Sequence, residues 1–273
     1  MNNVGFAFLL TLIAGLSTGI GSCIAFFSKN TNKKFLSCSL GFSAGVMIYV
    51  SMIEIFVKAK DSLSLSFGDK MGTGATILGF FGGILVIALI DKFIPKDTNP
   101  HEVRDVEELD QVSSNNLNTS KAKMKLMRTG IFTALAIAIH NFPEGLATFI
   151  AALQDSTIAI PIVVAIAIHN IPEGISVSVP IYYATGSRKK AFLYSFFSGL
   201  AEPVGALVGY MILMPIMNNT VFGILFASVA GIMVFISIDE LLPLAKEYDD
   251  GHYSIYGLIF GMLVMAISLF LFM

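Results

Sequence analysis

The chain has 273 residues, 55% of them hydrophobic and 13% charged, with a formal net charge of -2 and a mean hydropathy of +0.77. A soluble domain carries about 25% charged residues, so charge this sparse cannot cover a water-facing surface and excludes a soluble fold. The 17 Lys and Arg residues form neither a stripe nor a stacking platform, which excludes nucleic acid as a partner.

Apolar stretches of the roughly 20 residues needed to cross a hydrocarbon core of about 30 Å recur along nearly the whole length. The sequence predicts a single all-α transmembrane domain over 1–273 with eight spans, near 4–27, 35–57, 74–94, 129–152, 158–183, 191–214, 221–243 and 253–272. The first is a retained helix rather than a signal peptide, because Met1-Asn2-Asn3-Val4 carries no basic residue and the apolar run is too long. Cys23 and Cys38, in spans one and two, are expected to be buried free thiols. Glu54 lies late in span two.

After span three the rhythm breaks. The stretch 95–127 holds Asp105, Glu107, Glu108 and Asp110, then Ser113-Ser114-Asn115-Asn116, then a basic end, and reads as a disordered cytoplasmic loop. His101 is a poor metal ligand there, with no Cys and no second His beside it.

Spans four and five carry an internal repeat. Ala136 to Gly145 reads AIAIHNFPEG and Ala165 to Gly174 reads AIAIHNIPEG. The short polar link Gln154-Asp155-Ser156-Thr157 makes the two spans an antiparallel hairpin. Residues three and four apart share a helix face, so His140, Asn141 and Glu144 point into one space, as do His169, Asn170 and Glu173. With the turn at Ser156 and Thr157, Glu144 falls level with His169, and His140 with Glu173. About twelve residues at 1.5 Å each, roughly 18 Å, separate this level from the turn, which puts it near mid-membrane. Pro143 and Pro172 lack an N–H and free the carbonyls of Ile139 and Ile168, while Gly145 and Gly174 let helices approach closely.

Ionisable groups within a membrane cost at least about 2.5–3.5 kcal/mol each on translocon scales, and a bound cation supplies the partner that such a cluster needs. Imidazole with carboxylate suits Zn²⁺, and also Fe²⁺, Mn²⁺ or Co²⁺, whereas the lack of thiolate argues against Cu(I). Span six adds Glu202 before Pro203, at a depth comparable with the repeat. Span seven ends with Asp239 and Glu240, placed to line an exit path or to snorkel. Fourteen of the basic residues fall in the connections after spans one, three, five and seven, against Lys58, Lys60 and Lys70 opposite. Both termini are therefore expected on the non-cytoplasmic side.

These residues, together with SGLAEPVGA (198–206) and AGIMVFISIDELLPLAKE (230–247), resemble the ZIP family of metal transporters, and within it the bacterial ZupT-type branch. The resemblance spans the whole chain. It implies a 3+2+3 helix arrangement, with helices 1, 4, 5 and 6 moving against 2, 3, 7 and 8, often in a homodimer. It also implies metal uptake across a bacterial inner membrane, with zinc as a transported substrate and no resident cofactor. A binuclear centre follows from it: His140, Glu144, His169 and Glu173 as one site; Asn141, Asn170 and Glu202, with Glu144 and Glu173 bridging, as the other. Two further readings remain. An intramembrane zinc hydrolase would use the His and Glu pairs, but His-Glu-x-x-His is lacking and every nearby carboxylate is a candidate ligand. A proton- or sodium-coupled carrier of an organic solute would usually need an aromatic or basic pocket, and no Arg lies well inside a span.

Overall fold

The computed structural model describes residues 4–27, 33–93, 120–154, 156–247, 249 and 251–271, and among these the chain is entirely helical. Eight helices follow one another: α1 (Val4–Phe27), α2 (33–67), α3 (Asp69–Phe93), α4 (Ser120–Gln154), α5 (Ser156–Thr185), α6 (188–216), α7 (219–247) and α8 (Tyr253–Leu271). Seven are long and apolar enough to cross a membrane, whereas in α4 the described apolar stretch is the shorter Ile137–Leu153. The chain is a polytopic helical membrane protein. Residues 95–119 of the expected loop, with His101, lie outside the described residues; from Ser120 the chain is helical.

Local chemistry sets the boundaries. Ser187 caps α6 by accepting from the Lys190 N–H, and Asn218 caps α7 by accepting from the Val221 N–H. One expectation changes: the connection drawn between spans two and three is helical. Lys58, Lys60, Asp61 and several serines belong to Phe56–Phe67, and only Gly68, at φ 78°, separates that segment from α3. Glycine tolerates this left-handed turn, so polar residues read as a loop instead prolong the hairpin. Glu54 pairs there with Lys58 at 3.0 Å.

Two groups of four helices emerge. In one, α1 packs on α5, α5 on α4, and α4 on α6; in the other, α2 packs on α8, and α7 on both α3 and the end of α2. Contact between the groups runs mainly from α2 to α5. The apolar stretch of α5 is 76% buried, against 22% for α3 and α8, so α5 is the central helix and α3 and α8 face lipid.

A two-fold relation runs through the packing. A Cβ on Gly15 of α1 would meet the Gly199 carbonyl of α6 at 2.5 Å, and one on Gly199 would meet the Gly15 carbonyl at 2.3 Å. Gly174 of α5 lies on the Thr18 carbonyl as Gly145 of α4 lies on that of Glu202, and Gly45 of α2 lies on the Leu258 carbonyl as Gly231 of α7 lies on that of Phe80. The paired sequences are AGLSTGIGS (14–22) with SGLAEPVGA (198–206), GVMIYVSMIEI (45–55) with GIMVFISIDEL (231–241), and GFFGGILVIA (79–88) with GLIFGMLVMA (257–266). In α2 and α7 the repeated Ser and Glu fall in matching π-helical turns, Ser51–Ile55 and Ser237–Leu241. Ser51 and Ser237 donate to the Met47 and Met233 carbonyls at 2.6 and 2.7 Å. The chain is therefore a doubled three-helix unit with the α4–α5 hairpin between its copies.

Candidate metal centre

The α4–α5 hairpin brings the two copies of the motif face to face. His169 Nε2 of α5 lies 3.2 Å from Glu144 Oε1 of α4, the pairing expected of the hairpin, and 4.0 Å from Glu173 Oε1 one helical turn away. Two carboxylates thus bracket one imidazole nitrogen. Asn141, Glu144, His169, Asn170, Glu173 and Glu202 are all buried, none more than 2% exposed. The backbone at His140 is helical, but its side chain lies outside the described residues. The expected level of His140 with Glu173 therefore falls outside them too.

Glu202 joins this cluster from α6. Asn170 Nδ2 donates to Glu202 Oε1 and also to the Ala14 carbonyl of α1, at 3.1 Å. Its partner in the repeat, Asn141, donates to the Ser198 carbonyl at 3.5 Å. Pro203 explains how Glu202 gets there: with no N–H to offer the Gly199 carbonyl, α6 breaks at Leu200. The break lets Gly199 pack against Gly15. Helices α4 and α5 run unbroken through Pro143 and Pro172.

Among the described residues, Asn141 Oδ1, Glu144 Oε2, Asn170 Oδ1 and Glu202 Oε2 are buried oxygen atoms without a hydrogen-bond partner. All four accept and none donates, so the cluster is short of positive charge. No three His, Cys, Asp or Glu side chains among the described residues already converge as a closed metal cage.

The second group of helices reaches the cluster through Ser43 of α2. Its hydroxyl lies 3.3 Å from the His169 carbonyl and 3.4 Å from Glu173 Oε1. Nothing in the sequence singled out Ser43; only the packing of α2 on α5 does. Beside Glu144 lies a cavity walled by Val50, Ile55, Ile162, Phe226 and Met233, with Thr148 also at its edge. Asp239 and Glu240 lie in the π turn of α7, Glu240 buried and Asp239 half-buried. Cys23 and Cys38 are free as expected, but Cys23 is exposed and Cys38 half-buried, which corrects the expectation of two buried thiols.

The family model described as ZIP Zinc transporter matches residues 94–269. The chain is 66% identical to the zinc transporter ZupT of Clostridium perfringens, with 100% of this chain and 98% of that protein covered. It is 66% identical to the zinc transporter ZupT of Streptococcus mutans, with 97% of each chain covered. The protein of the same name from Nitratidesulfovibrio vulgaris is 57% identical, with 99% and 98% covered.

Proposed function

The chain belongs to the ZIP family of zinc transporters, in its bacterial ZupT-type branch, and from that premise we propose that it carries Zn²⁺ inward across the bacterial inner membrane through the buried cluster on α4, α5 and α6. The observation that carries this reading is the set of four buried acceptor oxygens without a donor. Divalent cations bound there would satisfy them and offset the carboxylate charge. Imidazole and carboxylate select zinc, while the amide oxygens of Asn141 and Asn170 suit harder ions, so Fe²⁺, Mn²⁺ and Co²⁺ are further substrates.

The centre is binuclear in this reading. His140, Glu144, His169 and Glu173 hold one ion; Asn141, Asn170 and Glu202, with Glu144 and Glu173 bridging, hold the second. The proximity of Asn170 to Glu202, and of His169 to Glu144, supports two neighbourhoods of different chemistry. All eight helices span, with both termini away from the cytoplasm, and the division into α1, α4, α5, α6 and α2, α3, α7, α8 agrees with a 3+2+3 plan. The metals are cargo, and every carboxylate in the cluster serves as a ligand, so none remains as the general base a hydrolase needs.

The test is uptake of radiolabelled Zn²⁺ and Fe²⁺ into proteoliposomes. His169→Ala is expected to impair zinc more than iron, and Asn170→Ala the reverse. Wild-type uptake no faster than in empty vesicles would reject metal transport; equal losses for both metals would reject the two-site division.

A further inference from the structure

The centre as described takes its ligands from α4, α5 and α6 and none from α1, although α1 meets both α5 and α6 at the same level. The two-fold relation identifies what α1 contributes there. Aligning AGLSTGIGS with SGLAEPVGA sets Thr18 against Glu202. A Cβ on Gly174 would meet the Thr18 carbonyl at 1.9 Å, as one on Gly145 would meet the Glu202 carbonyl at 2.1 Å. The side chains correspond as well. Thr18 lies over Gly199, its Cβ and Oγ1 at 2.8 and 2.9 Å from the position a Cβ would take, and Glu202 Cβ lies over Gly15 at 3.4 Å.

Thr18 is completely buried, and its Oγ1 has no hydrogen-bond partner among the described residues. A helical threonine ordinarily satisfies its hydroxyl on the carbonyl four residues back, as Thr11 does with Ala7 at 3.0 Å in the same helix. Thr18 does not. The amide that corresponds to Asn170 across the two-fold is Asn141, whose Oδ1 also lacks a partner. By this correspondence the counterpart of the Asn170–Glu202 pair is Asn141 with Thr18, a residue whose hydroxyl has no partner among the described residues.

Resting on the reading of this cluster as a divalent-metal transport site, we propose that Thr18 is a further residue of the metal centre, giving a neutral oxygen on the Asn141 side where Glu202 gives an anionic one on the Asn170 side. A threonine hydroxyl is shorter than a glutamate carboxylate, so it meets the cation through one of the cation's own water molecules. The centre then has three carboxylates instead of the four that strict symmetry would give. The ion held by Asn141, Asn170 and Glu202 then keeps part of its hydration on the Thr18 side, which makes Thr18 a determinant of both affinity and selectivity.

The test is calorimetric titration of the purified full-length protein with Zn²⁺ and with Mn²⁺, alongside thermal unfolding without metal. Thr18→Ala is expected to weaken zinc binding about tenfold, the low end of what losing an outer-shell partner costs, with unchanged unfolding temperature, and Thr18→Ser to restore binding toward the wild type. Thr18→Asp supplies the missing carboxylate; it should tighten binding and shift preference toward Mn²⁺, the harder ion. Wild-type affinities for both metals in Thr18→Ala and Thr18→Asp would overturn the assignment, as would a loss in Thr18→Ala that tracks lost thermal stability while Thr18→Asp leaves selectivity unchanged. Failure of the wild type itself to bind zinc would overturn the reading of the cluster and this assignment with it, so the two failures are distinguishable.

Discussion

Replacing Gly174 by alanine tests whether backbone-to-backbone packing positions the ligands. The added Cβ would sit 1.9 Å from the Thr18 carbonyl oxygen and 2.9 Å from its carbon, and nothing closer than 3.0 Å is tolerated. Both sides of the contact are backbone, so no side chain can swing aside. The α1–α5 pair must open by about 1.1 Å to go from 1.9 to 3.0 Å. Overpacking of this kind costs about 1–3 kcal/mol. Glu173 adjoins Gly174, and His169 and Asn170 lie little more than a turn away, so the ligands move with the helix. A displacement of about 1 Å at a positioned site can cost on the order of 100-fold in rate. Gly74 and Gly82 of α3 are the controls, because a Cβ there meets nothing within 4 Å, and alanine should be neutral or stabilise by about 0.5–1 kcal/mol. The assays are thermal unfolding in detergent and zinc uptake into proteoliposomes. Gly174→Ala matching Gly82→Ala in both would refute the reasoning; Gly145→Ala, with its 2.1 Å approach to the Glu202 carbonyl, should behave like Gly174→Ala.

Three further outcomes are expected. Glu144→Ala removes the carboxylate 3.2 Å from His169 Nε2 inside the bundle; zinc binding by calorimetry should fall at least tenfold, as for loss of a metal-site partner, and undiminished affinity would count against Glu144 as a ligand. Ser43→Ala removes a donor whose contacts, at 3.3 and 3.4 Å, are long, so the same titration should show a cost within about 0.5–1.5 kcal/mol. A loss as large as that of Glu173→Ala would mean that Ser43 itself binds metal. Asp249 accepts from the N–H groups of Gly251, Tyr253 and Ser254 and from the Ser254 hydroxyl ahead of α8. Its slight burial raises its pKa, but these hydrogen bonds outweigh that and hold it below the usual carboxylate value. The cap therefore stabilises fully above the unfolded pKa of about 3.9 and is lost as pH falls through the lower folded value. Protection of the first-turn amides of α8 against exchange should fall in that acid range, and should already be lost at neutral pH in Asp249→Ala; unchanged protection in Asp249→Ala at neutral pH would remove the cap from the account.

What could be read from the sequence follows from what a helix hairpin fixes. Antiparallel pairing of the two spans brings Glu144 to His169, and the two lie 3.2 Å apart, although Ser156 and Thr157, expected in the turn, already belong to α5. Glu202 is expected at the depth of the repeat, and it lies there against Asn170. The α2–α3 hairpin was missed because Lys58, Lys60 and Asp61 look like loop residues, whereas a helix extending beyond the apolar layer carries just such residues.

The wider two-fold was missed for a different reason. Between α1–α3 and α6–α8, lipid-facing and core positions exchange freely among Leu, Ile, Val, Met and Phe, because any of them fills the same apolar space. What must persist is what other side chains cannot replace: a glycine where backbones touch, as at Gly15 with Gly199, and the Ser and Glu of the two π turns. In such a chain, informative departures from symmetry are the chemical ones. A leucine opposite an isoleucine changes little, but a threonine opposite a glutamate, both buried at one level, sets an uncharged oxygen against a charged one. A carboxylate on both sides would hold the ion between Asn141 and Asn170 more tightly, and a transport site must also release it. On the assignment proposed for Thr18, its pairing with Glu202 gives the centre a tight side and a loose side within an otherwise symmetric frame.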